Sequence, residues 1–350
     1  MASQVNNTAW LEWMASLTGT GPRQTQTATL PPDDFFCLLD ELPLHLIPQW
    51  QRTPRLQRDL PVKDLILNPQ CRVLSSGEVP AELEPQRHLL RKFNLQGTVA
   101  WVRDAATGSL QPFWLGRRLE SIVSGLRSGE FVADAVAADA IWLLAGAEIL
   151  TTQEELRRGR AERPEVARTR KGAEQFREKG YAPIRNVIHP FHIAALRRYY
   201  RHAIRRGEIR LGDNQSSRRY VAHNDSIARF FHHQISEAVG AIVGEAIKPS
   251  YVYMASYLSG AELKKHTDRE QCEFSVTLCL DFSPEPDGGT SWPIRLDTAE
   301  GSVKVYQALG DGLVYRGTKV PHYRDVLPEG YTSTSIFFHY VPENFSGSLE

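Results

Sequence analysis

Several features that would place this sequence in a common functional class are scarce or missing. The four cysteines, Cys37, Cys71, Cys272 and Cys279, form neither a CxxC pair nor a metal-binding spacing. We therefore expect free, buried thiols in a reducing compartment. The 41 basic and 41 acidic residues give a net charge of zero, so no overall electrostatic attraction to nucleic acid is indicated.

Long apolar runs are also missing from the sequence. No stretch of about 18 apolar residues is present, which argues against a membrane span. The N-terminus lacks the basic and apolar segments of a secretory signal peptide. The sequence therefore predicts a cytoplasmic protein whose partners include neither nucleic acid nor a membrane.

A chain of 350 residues is long enough for two domains. Residues 1–30 are polar and are predicted to form a flexible N-terminal segment. Residues 31–152 are predicted to form an α+β accessory domain, and residues 153–179 a charged linker or helix. Residues 180–350 read as a second, β-rich domain. The predicted fold class is therefore α+β.

The accessory domain shows a pattern of helices around one hairpin but no catalytic motif. Periodicity predicts helices over residues 80–95, 119–126 and 135–150, and strands over 99–102 and 110–115. This pattern resembles a winged-helix-type module, and also the small peptide-binding domains of peptide-modifying enzymes. We expect it to bind a peptide or other substrate-bearing partner, or to form a homodimer. A purely structural domain is the alternative.

The most informative motif is His266-Thr267-Asp268, which is followed further along the chain by His322. Two histidines and one carboxylate are the ligand set of a non-haem Fe(II) site that keeps coordination positions open. Residues two apart on an extended strand point to the same side. His266 and Asp268 are therefore expected to face one metal ion together.

The segments around this motif have the composition of short strands separated by turns. Gly, Pro and Asp clusters punctuate the β-prone runs, a pattern typical of a sandwich or barrel. The predicted strands cover residues 274–280, 303–306, 313–315 and 335–340.

Residues 180–342 resemble an Fe(II)/2-oxoglutarate-dependent dioxygenase of the prolyl-hydroxylase-like branch. The matching pieces are Tyr257-x-x-Gly260, His266-x-Asp268, the Asp287-Gly288-Gly289 turn and His322. The resemblance implies a double-stranded β-helix, a jelly-roll barrel with supporting helices. It also implies Fe(II) held by His266, Asp268 and His322, with 2-oxoglutarate and O2 as co-substrates.

The activity implied by this resemblance is hydroxylation of an unactivated C–H bond, with release of succinate and CO2. The substrate is an amino acid, a peptide or a small metabolite, and desaturation or ring formation stays open. Related halogenases replace the carboxylate ligand with a small residue, so Asp268 argues against halogenation. The alternative function is a non-catalytic module that binds a ligand or peptide on the same fold.

The sequence departs from the family at the residue that anchors the distal carboxylate of 2-oxoglutarate. Where the family carries an Arg or Lys, this chain has Tyr331. Arg324 is the only Arg or Lys after His322, and strand alternation places the two side chains on the same side. A buried guanidinium needs an anion, and a carboxylate can accept two of its hydrogen bonds. Arg324 is therefore the predicted anchor.

Two alternatives to Arg324 as the anchor stay open, and three further residues are candidates for binding the co-substrate. Arg324 could instead form an ion pair with Asp325 or Glu329, and Arg316 is the second candidate anchor. The remaining candidate co-substrate-binding residues are Tyr257, Ser333 and Ser335.

Overall fold

A computed structural model describes residues 34–48, 64–104, 107–128, 138–158, 164–185 and 187–350. The predicted flexible segment 1–30 lies outside the described residues, as do residues 135–137 of one predicted helix and part of the charged run after residue 158. None of the described helices is long and apolar enough to cross a membrane.

Strands dominate the second half of the chain, and short helices connect and cover them. In the described residues the strands are β1 (Leu65–Leu67), β2 (Cys71–Leu74), β3 (Thr98–Arg103), β4 (Leu110–Leu115), β5 (Leu150–Thr152), β6 (Tyr181–Ile184), β7 (Arg210–Leu211), β8 (Arg219–His223), β9 (Ile247–Tyr257), β10 (Leu263–His266), β11 (Phe274–Ser283), β12 (Ile294–Thr298), β13 (Gly301–Val305), β14 (Gly312–Arg316), β15 (His322–Arg324) and β16 (Thr332–Pro342). The α-helices are α1 (Arg117–Ser128), α2 (Ala138–Gly146), α3 (Gln153–Arg158), α4 (Pro164–Lys179), α5 (Pro190–Arg205), α6 (Ser226–Gln234) and α7 (Ser236–Val243). Short 3-10 helices cover Leu39–Glu41, Leu44–Leu46, Ala81–Leu90 and Glu270–Cys272.

Two antiparallel sheets form the scaffold of the second half. The larger has the order β6-β14-β11-β16-β9-β8-β7 and the smaller the order β10-β15-β12-β13. Ile294 and Leu296 of the smaller sheet share one apolar cluster with Leu313 and Tyr315 of the larger sheet. The two sheets therefore pack face to face, which confirms the predicted mixture of helices with a β-rich region.

The central strand β11 is buried on both of its faces, and its two faces differ in chemistry. Val276 and Leu278 join the main apolar core with the helices. Ser275 and Thr277 point the opposite way, because successive residues of a strand alternate between its faces and both are fully buried. Polar side chains inside a sandwich need partners, so this inner face is where a polar site can form.

The N-terminal region packs directly on helices α5 and α6 rather than standing apart. Its sheet has the order β2-β3-β4, and one continuous apolar cluster runs from Phe35 to the helices and the large sheet. Ring centroid distances across this contact are 4.8 Å for Phe93–Phe230, 4.7 Å for Phe113–His192 and 5.6 Å for Trp142–Phe191. The division of the chain into domains stays a prediction.

One predicted helix is too long, and the structure corrects it. The helix expected over residues 135–150 ends at Gly146, and Leu150 instead begins strand β5, which pairs with β1. The reason is local, because Glu148 has a left-handed φ of 57° that turns the chain out of the helix. The predicted strands β3 and β4 and the helix α1 are confirmed.

The helix expected over residues 80–95 also differs from the prediction, since it is a 3-10 helix that covers Ala81–Leu90 only. Pro85 lies inside it and has no N–H to donate to an α-helical hydrogen bond.

Candidate metal and co-substrate site

Three side chains with metal-binding atoms converge between the two sheets. His266 ends β10, His322 begins β15, and the two residues are direct cross-strand partners. Asp268 Oδ1 lies 3.6 Å from His266 Nε2 and 3.5 Å from His322 Nε2. The three ligand atoms all lie within 4.8 Å of one another, so the structure brings the predicted ligand set together.

Asp268 reaches this position in a different way from the one expected. Strand β10 ends at His266, so Asp268 is not two residues along the same strand. Its backbone N–H instead donates to the Gly317 carbonyl at 2.9 Å. Position 317 requires glycine, because the Cβ atom of any other residue would lie only 2.5 Å from Asp268 Oδ2. The loop, rather than strand alternation, aims the carboxylate.

Both ligand histidines are oriented by backbone carbonyls. His266 Nδ1 lies 2.7 Å from the Lys264 carbonyl, and His322 Nδ1 lies 3.0 Å from the Val320 carbonyl. A carbonyl can only accept, so each Nδ1 carries the proton and each Nε2 keeps a lone pair. Metal-binding histidines are commonly fixed through their other ring nitrogen in this manner.

The carboxylate ligand is held in its charged form. The Ser275 hydroxyl donates to Asp268 Oδ2 at 2.8 Å, and Ser275 Oγ also lies 2.9 Å from His339 Nδ1. Burial alone would raise the pKa of Asp268, but the neighbouring His322 and the Ser275 hydroxyl bring that pKa down to about 2. Burial, followed by the adjacent His322, lowers the pKa of His266. Asp268 and His266 are therefore unprotonated near neutral pH, which is the state that binds a metal.

A cavity of about 380 Å³ opens from these residues toward the β7–β8 hairpin. Its volume falls in the range of small-molecule sites. Aromatic and charged side chains make up most of its wall. The aromatic residues are Tyr251, Tyr253, Tyr257, Tyr315 and Phe337, and the charged residues beyond the triad are Arg210, Asp213, Arg219 and Arg269.

Arg324 is buried beside this cavity without being part of its wall. It interacts electrostatically with the wall residues Tyr257 and Tyr315, and its burial lowers its pKa. Its Nη1 donates to the Trp292 carbonyl at 2.7 Å, while its Nε has no hydrogen-bond partner. The alternative ion pair of Arg324 with Asp325 is not formed, because that carboxylate binds Arg295 at 2.6 Å.

The three further candidates for binding the co-substrate lie on the inner face of the large sheet. Tyr257 is fully buried, and its hydroxyl accepts a hydrogen bond from Arg219 Nη1 at 3.2 Å. Ser333 is its cross-strand partner, and Ser335 Oγ is buried without a hydrogen-bond partner. Tyr257, Ser333 and Ser335 therefore share the face on which the triad lies.

Arg316, the second candidate anchor, is not brought to the site. It follows the inward-facing Tyr315 on β14 and therefore points to the opposite face. There its Nη1 lies 3.6 Å from Glu273 Oε1, and its guanidinium packs over Phe176 and Phe274.

Several residues of the site were not predicted from the sequence. Ser275 and His339 support Asp268, and Asp213 and Arg219 form an ion pair in the cavity wall. His223 ends strand β8 and also lines the cavity. The alternation Ser335-x-Phe337-x-His339 was a usable signal, since it places three such residues on one face.

Comparison with known proteins gives limited similarity. No protein-family model matches the chain, and no curated protein matches it in sequence. Among solved structures, a Pseudomonas putida prolyl-4-hydroxylase matches with 19% identity and a TM-score of 0.41, covering 50% of this chain and 99% of that one. A 2OG-Fe(II) oxygenase family protein from Burkholderia pseudomallei matches with 16% identity and a TM-score of 0.40, covering 51% and 92%.

A third match is the epimerase SnoN in complex with Fe3+, alpha ketoglutarate and nogalamycin RO. Its identity is 13% and its TM-score 0.42, and the match covers 50% of this chain and 84% of that one.

Proposed function

We propose that the chain is an Fe(II)- and 2-oxoglutarate-dependent oxygenase whose two sheets form a double-stranded β-helix. One observation supports this most strongly. Two imidazole Nε2 atoms and one carboxylate oxygen converge, and each imidazole is fixed through its Nδ1 by a backbone carbonyl. This donor set suits Fe(II) and leaves positions for other ligands.

His266, Asp268 and His322 would hold the iron. Bound there with 2-oxoglutarate and O2, Fe(II) would supply the oxidising chemistry, in which 2-oxoglutarate becomes succinate and CO2 and a substrate C–H bond is hydroxylated. The protein contributes ligand geometry and a shaped cavity. Ser275 keeps Asp268 oriented through the hydrogen bond to the carboxylate oxygen that faces away from the histidines.

Arg324 would bind the distal carboxylate of 2-oxoglutarate. A fully buried guanidinium with an unused Nε and no carboxylate partner among the described residues is costly unless an anion completes it. Ser335 Oγ is a second unused polar atom on the same inner face. The Tyr257 hydroxyl already accepts from Arg219, so its own proton is free for an acceptor in the cavity.

The substrate is an amino acid, a peptide or a small metabolite. The N-terminal region is proposed to bind a substrate-bearing partner or a second subunit. Deleting residues 1–150 would expose Phe191 and Phe230, which pack against the N-terminal region in the shared core. The truncated protein is therefore expected to be insoluble. The N-terminal role is better tested by pull-down or sedimentation of the intact chain.

The test of the proposed function separates binding from turnover. Calorimetry should detect one Mn(II) per chain, used in place of Fe(II), and metal-dependent binding of 2-oxoglutarate. With Fe(II), O2 and a substrate library, succinate should form and one product should gain a single oxygen atom. In Asp268→Ala all three signals should disappear. Metal and 2-oxoglutarate binding without succinate from any substrate would favour the non-catalytic alternative.

A further inference from the structure

In the cavity wall, both acidic residues have charged or metal-binding partners, whereas two of the arginines have no carboxylate partner among the described residues. Both acidic residues are occupied, since Asp268 belongs to the metal triad and Asp213 accepts from Arg219 Nε at 3.0 Å and from the Tyr253 hydroxyl. Arg210 and Arg269 have no carboxylate partner among the residues that the structure describes. The outer cavity therefore carries two guanidinium groups without counter-charges.

Arg269 is held in place by an aromatic wall. Its guanidinium carbon lies 4.6 Å from the centroid of the Tyr251 ring. The same ring stacks on His223 at 5.1 Å and lies 4.6 Å from the His339 ring. A guanidinium stacked on an aromatic ring still presents its N–H groups in the ring plane. Arg269 Nε donates to the Tyr251 hydroxyl at 3.4 Å, and the remaining N–H groups of Arg269 can donate to a ligand beside that ring.

Arg210 faces the cavity because of its strand register. On β7 it pairs with Val221 of β8, and Val221 shares its side of the strand with Arg219 and His223. Arg219 and His223 both line the cavity. Arg210 therefore points to the same side and lines the same cavity as Arg269.

The co-substrate does not account for these two guanidinium groups. In the proposed function, the iron and Arg324 balance the charges of Asp268 and the two carboxylates of 2-oxoglutarate, which leaves the inner site about neutral. A positively charged mouth on a neutral inner site attracts and orients an anion.

We infer that the substrate carries an anionic group, a carboxylate or a phosphate, which Arg210 and Arg269 bind while its apolar part lies against Tyr251, Tyr253 and Phe337. This inference rests on the proposed function and narrows its substrate class. Arg210 and Arg269 are exposed and solvated in the free protein, so a neutral substrate gains nothing from them. A cationic substrate is disfavoured because the two guanidinium groups repel it. Arg210 and Arg269 are therefore specificity-determining residues.

The test uses four probes with the same phenyl group, titrated by calorimetry into the full chain loaded with Mn(II) and 2-oxoglutarate. They are phenylacetate, benzylphosphonate, the neutral phenylacetamide and the cationic phenethylamine. At least one anion should bind about tenfold more tightly than phenylacetamide, as expected for hydrogen bonds to a charged group. The better of the two anions identifies the carboxylate or the phosphate.

The variants assign this preference to the two arginines. Arg210→Gln combined with Arg269→Gln should remove it, whereas the corresponding double Lys variant should keep part of it. Arg218→Gln is the matched control, because Arg218 lies on the same hairpin but bonds the Ser259 carbonyl at 3.0 Å and is not in the cavity wall. Each variant should still bind one Mn(II) per chain and 2-oxoglutarate, which shows that the inner site is intact.

Three results would overturn the inference. Phenylacetamide or phenethylamine could bind as tightly as the anions, the preference could survive in the double Gln variant, or neither anion could bind at millimolar concentration. The same titrations without Mn(II) and 2-oxoglutarate measure the charge preference separately. A failure of the iron proposal is thereby distinguished from a failure of the anion inference.

Discussion

Two regions of the molecule contain buried or half-buried histidines, and the two regions use them differently. Between the N-terminal region and α5, both ring nitrogens of His192 have hydrogen-bond partners. Nδ1 lies 3.2 Å from Gln111 Oε1, and Nε2 lies 2.8 Å from the Pro112 carbonyl. In the cavity, His266 and His322 each form a hydrogen bond to a backbone carbonyl through Nδ1 only. A ring nitrogen left free and aimed at a carboxylate, rather than burial itself, distinguishes a candidate ligand.

Removal of one histidine from each region should give the largest difference between the two regions. His322→Ala should abolish metal binding and Fe(II)-dependent activity while the fold is kept, and His266→Ala and Asp268→Ala should do the same. His192→Ala should instead leave metal affinity unchanged and lower stability by about 1–3 kcal/mol, because Gln111 and the Pro112 carbonyl lose their partner. Equilibrium dialysis and thermal unfolding measure the two effects.

If the three triad variants kept wild-type metal affinity and turnover, the iron assignment would be wrong. Loss of metal binding in His192→Ala, in a protein that remains folded, would remove the distinction between the two regions.

A smaller effect should come from the group behind the carboxylate ligand. Ser275→Ala removes the donor to Asp268 Oδ2 and should weaken metal binding about 10–100-fold, the usual cost of losing such a partner. Thr277→Val is the control, since Thr277 lies on the same face of β11 but contacts the Tyr315 hydroxyl at 3.4 Å. Equal metal affinities for the two variants would show that Ser275 does not orient the ligand.

The two candidate anchors provide a matched pair of arginines. Arg324→Ala should raise the 2-oxoglutarate concentration for half-maximal rate at least about tenfold, or about 1.4 kcal/mol, by removing hydrogen bonds to a carboxylate. Arg316→Ala should have a smaller effect, because Arg316 pairs with Glu273 away from the cavity. The opposite order of effects would move the anchor to Arg316.

The mildest change is in the pH dependence of stability. Burial lowers the pKa of His233 and of His339 to about 4, compared with an ordinary value of 6.5. Between these values the unfolded chain binds protons that the folded protein does not, so stability falls as the pH falls. The contribution of these two histidines to the free energy of unfolding should be complete above pH 6.5. His233→Gln should make the loss of stability at lower pH smaller. A melting temperature that is constant from pH 7 to pH 4.5 would contradict this.

The sequence was sufficient to predict several strands of the β-rich half and to single out three residues that the structure brings together. Ligand spacing indicated His266, Asp268 and His322, and short alternating runs indicated β11, β14 and β16. The strand signals are local, because each depends on neighbours within one strand or turn. His322 was instead indicated by its spacing from the His266-x-Asp268 motif. Such patterns can be read without knowing how strands pair.

What the sequence did not show depends on contacts between distant segments. Ser275 meets His339 only through the pairing of β11 with β16, and Arg219 meets Tyr257 only through that of β8 with β9. The left-handed turn at Glu148 was missed because a non-glycine residue there carries no clear sequence signal.

The direct pairing of His266 with His322 makes the metal site a reporter of strand register. A shift of β15 by one residue against β10 would turn the His322 side chain to the other face of the sheet. A metal ion can therefore be held only after these two strands have aligned correctly, and once held it opposes their slipping. Metal affinity thus records whether this part of the chain has assembled, so a variant far from the cavity that misaligns the smaller sheet would be detected as a loss of bound metal.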